Sequence, residues 1–237
     1  MRLSAPIYQL KRRAKLLARD EKIALHEALD HIAREEGFAG WSLLSSQLAM
    51  NSPSKAVLSR LAHGDLLLLG ARPGHGKTLL GLQLLLDAVR EGRKAVFFTL
   101  EYTEQETRQR IQSLDGNAHG LDDKLEIVTS DEICADYIID HLSGSPRGTV
   151  VVIDYLQILD QQRSKPALSD QMLALRSFAR DNGFVLGFIS QIDRTFDPAS
   201  KPLPDIQDIR LPNPVDMGFF TKACFLHNGE VRLQDVA

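Results

Sequence analysis

The chain is poor in the features that mark secreted and membrane proteins. Only two of its 237 residues are cysteine, Cys134 and Cys224, and they lie far apart in sequence. That argues against a disulfide-stapled scaffold and leaves two buried thiols in a reducing compartment as the expectation. No apolar run reaches the roughly 18 residues that suggest a membrane span. The N-terminus lacks a charged start, a compact apolar core and a small-residue cleavage site, so no signal peptide is expected, and a cytoplasmic location is. Internal repeats and low-complexity segments are missing too. Neither charge sign dominates: the formal net charge is −3. This argues against a nucleic-acid binder that uses its whole surface, but leaves room for a local basic groove.

What is present fits an ordinary soluble globular protein, with 43% apolar and 25% charged residues. The length suits one large α/β domain plus a small appendage. Residues 1–50 form the appendage, expected as three short helices. Ser4 and Pro6 suit a helix start, with Ile7, Leu10, Ala14 and Leu17 on one face. A second helix fits from Asp20, with Leu25, Ala28, Leu29, Ile32 and Ala33 in one stripe and Gly37 as its stop. Phe38, Trp41, Leu44 and Leu48 then close a small core. Acids are absent from Met1 to Arg19, which hold Arg2, Lys11, Arg12, Arg13, Lys15 and Arg19. Such a cluster contacts nucleic acid, forms a solvated helix face or docks on a neighbouring subunit. Met50 to Ser54 is a polar break, and Lys55 to Ala62 suits a short helix opening the second domain, residues 55–237.

The segment that organises the second domain is Gly70-Ala71-Arg72-Pro73-Gly74-His75-Gly76-Lys77-Thr78. It follows the apolar run Leu66 to Leu69, a buried strand, and precedes Leu79 to Arg90, a helix with Leu79, Leu82, Leu85 and Leu86 inward and Gly92 as its stop. Strand, glycine-rich turn, Gly-Lys-Thr and helix make a phosphate-binding loop. Ala71 stands where the pattern usually has Gly, but main-chain N–H groups wrap the phosphates, so the mechanism survives. The expected cradle is Ala71, Arg72, Pro73, Gly74, His75, Gly76, Lys77, Thr78 and Leu79. Lys77 reaches the β- and γ-phosphates of the nucleotide, expected to be ATP, and the Thr78 hydroxyl ligates Mg²⁺.

Further strands are expected at Lys94–Leu100, Leu125–Val128, Thr149–Ile153 and Phe184–Ile189. They alternate with helices: one opened by the Thr103/Glu106 capping box, one over Ile133–Leu142 capped by Thr129 or Ser130, and one over Leu168–Asn182 stopped by Gly183. Strands alternating with helices predict a mostly parallel sheet covered on both faces, with ligands at the carboxyl edge. The phosphate loop, Glu101, Asp154 and Gln191 each fall at such a strand end. Residues 194–214 form a proline-punctuated loop above that edge. Lys222–Leu226 and Glu230–Leu233, joined across Asn228-Gly229, form a hairpin.

Val150 to Asp154 is an apolar strand ending in an acid, and in a nucleotide-binding sheet that acid holds the magnesium through water. A Glu often follows it to polarise the attacking water, but here Tyr155 follows. Glu101 is the substitute, or else a surface acid opening a helix. Gln191 either senses the γ-phosphate and reports to the proline-rich loop, or is a polar strand end. His75 is expected to point outward, with no catalytic role. Arg194 and Arg210 reach phosphate, nucleic acid or a neighbouring subunit.

These segments resemble the C-terminal ATPase domain of replicative DnaB-type helicases. Ala71 to Thr78 is similar to that family's phosphate loop, and Phe97-Phe98-Thr99-Leu100-Glu101, with Arg108 or Arg110 beyond, to its next conserved segment. Asp154-Tyr155-Leu156-Gln157-Ile158-Leu159 and Ser190-Gln191-Ile192-Asp193-Arg194 resemble the two after that, and Pro204 to Arg210 is a looser match to a later one. The resemblance covers residues 64 to about 210 and implies a RecA-like P-loop core. It also implies that Lys77 and Thr78 bind phosphate and magnesium, Asp154 supports the metal, Glu101 is the catalytic carboxylate and Gln191 the sensor. Such proteins assemble as homo-oligomeric rings, with nucleotide at subunit interfaces and an arginine supplied by the neighbour. The N-terminal region differs from that family's own, and the match decays after Arg210. Clear equivalents of the trans-acting Lys and Arg are missing, leaving Lys222 or Arg232 as candidates. Two functions follow: a Mg²⁺-dependent, helicase-like ATPase acting on single-stranded DNA or a partner, or a nucleotide-gated interaction protein with slow or no hydrolysis.

Overall fold

A computed structural model describes residues 4–5, 7–50, 52–114, 123–160, 165–210, 215–227 and 230–236. Arg2, Pro6, Asn51, the Leu211–Pro214 stretch with its two prolines, and the Asn228-Gly229 turn lie outside the described residues, as do the side chains of Ile7 and Leu48. The chain divides into two compact units, residues 1–55 and 56–237.

The first unit holds α1 (Ile7–Asp20), α2 (Leu25–Glu35) and α3 (Trp41–Met50). Leu10 and Ala14 of α1 meet Ala28 and Ile32 of α2, with Leu17, Leu29 and Trp41 against them. Ala33, Phe38 and Leu44 form a second small cluster that shares Trp41. Two expectations change. Asp20 ends α1 instead of opening α2, and Leu25, at the first turn of α2, is 44% exposed. The Asp30 carboxylate accepts the Trp41 N–H at 2.7 Å, which fixes the start of α3. The helix α4 runs Pro53–Leu58, earlier than the expected 55–62, because Pro53 supplies a favoured first helical position.

The second unit is a seven-stranded sheet: β1 (Leu66–Ala71), β2 (Ala95–Thr99), β3 (Leu125–Val128), β4 (Val150–Asp154), β5 (Val185–Gln191), β6 (Lys222–His227) and β7 (Glu230–Asp235), in the order β3-β2-β4-β5-β1-β6-β7. All neighbours are parallel except β6 and β7, which pair antiparallel at one margin. The central strands β1, β2, β4 and β5 are apolar on both faces, as a sheet covered on both sides requires. Alternate residues feed two cores. Leu66, Leu68, Phe98, Ile153 and Phe188 pack with α7 (Ala135–Leu142) and α8 (Leu168–Asn182). Leu67, Leu69, Phe97, Val152 and Ile189 pack with α5 (Lys77–Arg90) and Ile111 of α6 (Glu104–Leu114).

The central helix α5 differs from a one-sided stripe. Leu80, Leu82, Leu84, Leu85 and Leu86 are all buried, whereas Leu79 is 41% exposed, so the expected inward Leu79 is replaced by Leu80 and Leu84. The Thr103/Glu106 box forms as the spacing implies: Glu106 N–H donates to the Thr103 hydroxyl at 3.3 Å, and Thr103 N–H to the Glu106 carboxylate at 2.9 Å. Neither Thr129 nor Ser130 caps α7. The buried Gln171 of α8 accepts the Ala135 N–H at 2.9 Å and donates to Leu159 and Pro166 carbonyls. Cys224 is buried, but Cys134, at the start of α7, is partly exposed, so only one of the two thiols is a core residue.

Candidate functional site

The site grows from the end of β1. The strand delivers Ala71, fully buried and paired with Gln191 of β5 and Leu226 of β6, to the carboxyl edge. The chain then turns through Gly74 (φ 79°) and Gly76 (φ 87°), left-handed conformations that L side chains rarely adopt. A methyl group at either glycine would have no atom within 4 Å, so the turn encloses open space. Gly76 caps α5, and the first helical residue is Lys77. The amides opening a helix have no intrahelical acceptor, and the helix dipole adds partial positive charge, so this concavity suits an anion. Lys77 is 8% exposed.

The acidic half comes from β4. Thr78 donates its hydroxyl to Asp154 Oδ2 at 2.8 Å. Asp154 is fully buried, and its Oδ1 has no hydrogen-bond partner among the described residues. Burial pushes the Asp154 carboxyl up to about 6. The Thr78 hydrogen bond opposes that rise, the Glu101 carboxylate adds to it, and the Lys77 and Arg110 charges oppose it. A buried carboxylate oxygen without a donor is costly. A hard divalent cation takes oxygen ligands of this kind, so the Thr78–Asp154 pair fits Mg²⁺.

The neighbouring strand brings Glu101 to the same edge. Thr99, the last residue of β2, pairs in register with Asp154, and its hydroxyl accepts the Glu101 N–H at 3.1 Å. Glu101 is exposed. Beyond it, the Arg110 guanidinium sits 4.1 Å above the Tyr102 ring. Gln191 ends β5 beside Ala71, and its carbonyl accepts the Arg210 N–H at 2.8 Å. Asp193 N–H donates to the Asp208 carbonyl, so the proline-rich segment folds back onto the strand end. Lys201, paired with Asp205 at 2.7 Å and Asp208 at 2.6 Å, holds that fold together.

Two loop side chains pack against the neighbouring segments, and one of them, His75, departs from its expected direction. Arg72 donates to the carbonyl oxygens of Arg194 and Phe196 and lies 5.4 Å from the Phe196 ring centre, so its guanidinium braces the segment after β5. His75 does not project outward. Its ring stacks on His227 at 5.0 Å, and Phe196 meets His227 edge-on at 5.5 Å. Burial, then the nearby His227 and Arg72, hold the His75 ring below its usual value. Lys222 opens β6 at the opposite edge of the sheet and pairs with Asp235 at 2.5 Å, while Arg232 is exposed on β7. His227, not a basic residue of β6, is therefore what this strand brings to the edge. Phe196 and His227 carry no motif of their own; only strand order and loop return bring them to the site, whereas Arg110 lies just beyond the Phe97–Glu101 segment that carries the resemblance. Gln157 could have been found, because it lies in the Asp-Tyr-Leu-Gln segment. It donates to the Arg210 carbonyl at 2.8 Å.

A parallel sheet with a glycine loop, a buried Lys and a Thr–Asp pair at its carboxyl edge defines a RecA-like P-loop ATPase core. The KaiC ATPase family pattern matches residues 29–203, and the chain belongs to that family. The replicative DNA helicase DnaB of Mycoplasma pneumoniae is 26% identical over 67% of this chain and 41% of its own. The chain therefore spans about two fifths of that relative's length. Among solved structures, the ATPase domain of G40P superposes with a TM-score of 0.59 at 19% identity, covering 79% of this chain and 82% of that one. A DnaB-like replicative helicase, whose structure was described with its interactions with primase, superposes with a TM-score of 0.59 at 18% identity, covering 92% of this chain and 66% of that one.

Proposed function

We propose that the chain binds ATP with Mg²⁺ at the carboxyl edge and hydrolyses it. The observation that carries this reading is the open glycine turn, whose adjoining Thr78 is hydrogen-bonded to a buried Asp154 with one unpartnered oxygen. In this reading the amides of 74–79 and the Lys77 ammonium bind the β- and γ-phosphates, while Thr78 and Asp154 hold the cation, Asp154 through water. Bound there, magnesium neutralises phosphate charge as the terminal bond breaks. Glu101 orients and deprotonates the attacking water, and its exposure leaves it free to reach that water from the rim. Gln191, whose strand end is tied to Arg210, passes the loss of the γ-phosphate to the proline-rich segment. DNA is the substrate on which turnover acts, with single-stranded DNA the candidate and a homo-oligomer, possible as a ring, the working form; the relatives named as replicative DNA helicases support this.

Calorimetry and steady-state turnover test the reading. Lys77→Ala is expected to abolish ATP binding. Glu101→Gln is expected to keep binding and to lose turnover by about 10²-fold or more. Turnover of Glu101→Gln at the unmodified rate would remove Glu101 from its role.

A second reading is a nucleotide-gated interaction protein with slow or no hydrolysis. It is favoured by the place of Lys222 at the far edge and by His227 where a basic residue of β6 would otherwise stand. Turnover measured with and without single-stranded DNA across protein concentrations separates the two. Stimulation that rises with oligomer mass supports the motor, and tight ATP binding with flat, negligible turnover supports the switch.

A further inference from the structure

The two units differ in charge sign. Residues 1–55 hold nine Lys or Arg against six Asp or Glu, a formal +3, and residues 56–237 hold the remaining 19 against 25, a formal −6. The positive excess is concentrated on α1. Its apolar face, Leu10 and Ala14, is fully buried in the three-helix core. At 3.6 residues per turn, Lys11, Arg12, Lys15 and Arg19 fall within an arc of about 100° turned away from that face. All four are exposed, and none forms an ion pair among the described residues. Arg13 is the contrast: it turns toward α2, at 2.6 Å from Glu35 and 3.9 Å from Glu36. No acid interrupts 11–19, and Asp20, the last residue of the helix, falls outside the arc.

A solvated helix face usually alternates charge signs, because like charges four residues apart destabilise a helix. Here Lys11, Lys15 and Arg19 repeat that unfavourable spacing twice, about 6 Å apart along the axis. A polyanion relieves the repulsion. An anionic membrane would need an apolar face beside the charges, but α1 turns Leu10 and Ala14 into its core and, among its described side chains, leaves Leu16 as the one exposed large apolar residue. Duplex DNA carries about one charge per 1.7 Å of axis, so the roughly 12 Å from Lys11 to Arg19 spans several phosphates. We propose that this stripe is a binding surface for nucleic-acid backbone phosphates, without base readout. The proposal stands on the first unit alone and does not depend on the ATP reading.

The test is fluorescence anisotropy of the whole protein with labelled single-stranded and duplex oligonucleotides, without nucleotide, across a sodium chloride series. Four released counterions predict a slope of log K against log salt near −3 for single strands and near −4 for duplex. The combined K11Q/R12Q/K15Q/R19Q variant is expected to lose most of that slope and at least tenfold in affinity at low salt, with ATP binding unchanged. K15Q alone, which guards against a folding defect in the combined variant, is expected to lower the slope by roughly 0.7–0.9. R13Q is expected to leave it unchanged, because that cation is already neutralised by glutamates. An unchanged slope in the combined variant, no binding at low salt, or tighter binding to phosphatidylserine vesicles or polyglutamate than to DNA would overturn the proposal.

Discussion

Asp154 carries the largest electrostatic tension at the site. A carboxyl raised from 3.8 to about 6 binds more protons folded than unfolded between those values. Without nucleotide or metal, its contribution to stability therefore improves as pH falls through about 6 and is fully gained below 3.8. Above 6 the cost is complete, about 3 kcal/mol for a rise of about two units. Asp154→Asn is expected to stabilise the ligand-free protein at pH 7.5 by about 1–3 kcal/mol, less where the Thr78 contact is lost, and to flatten its stability between pH 4 and 6.5. Urea midpoints across that range check this, and an Asn variant less stable at every pH would contradict it. The residue itself was visible in the sequence as the acid ending an apolar strand. Its orphaned oxygen was not, because that depends on which groups the sheet leaves out of reach.

Among the elements, those with strong local signals formed as the sequence indicated. β3 and α8 keep their expected bounds, the Thr103/Glu106 box opens α6, and Gly183 closes α8 in a left-handed conformation. Details governed by distant partners, the cap of α7 and the buried face of α5, differed although both helices formed where expected. The first turn of α7 is satisfied by Gln171, 36 residues onward, which no local rule for capping can find. α5 looked amphipathic, yet Leu80, Leu82, Leu84, Leu85 and Leu86 are all buried. At the junction of β1 and the loop, Gly70 is required by close approach: a methyl group there would lie 2.9 Å from Ile209 and the Phe225 ring. Gly70→Ala is expected to cost about 1–3 kcal/mol by overpacking, read from the urea midpoint. An unchanged midpoint would mean that Ile209 and Phe225 move aside at little cost.

For the whole molecule, the two units separate two expectations. Saturation with ATP and Mg²⁺ at 100 times the dissociation constant is expected to stabilise the protein by about 2.7 kcal/mol. Thermal denaturation should show this gain in the unmodified protein and in the combined α1 variant, but not in Lys77→Ala. A gain that survives Lys77→Ala would put the nucleotide elsewhere. Among the described residues no helix is long and apolar enough to cross a membrane, in line with the lack of long apolar runs. What the sequence determined by itself was the chemistry with local grammar: the glycine loop ahead of Lys77 and Thr78, the apolar strand into Asp154, and the alternation that makes a parallel sheet. These are short-range, since φ preference, helix periodicity and burial on both strand faces act within a few residues. Only the tertiary structure decided the strand order. That order puts Thr99 beside Asp154 and Ala71 beside Gln191, turns Arg72 toward Phe196, stacks His75 on His227 and sends Lys222 to the far edge. Those contacts join residues far apart in the chain, and packing and strand pairing, not local preference, select which of them meet.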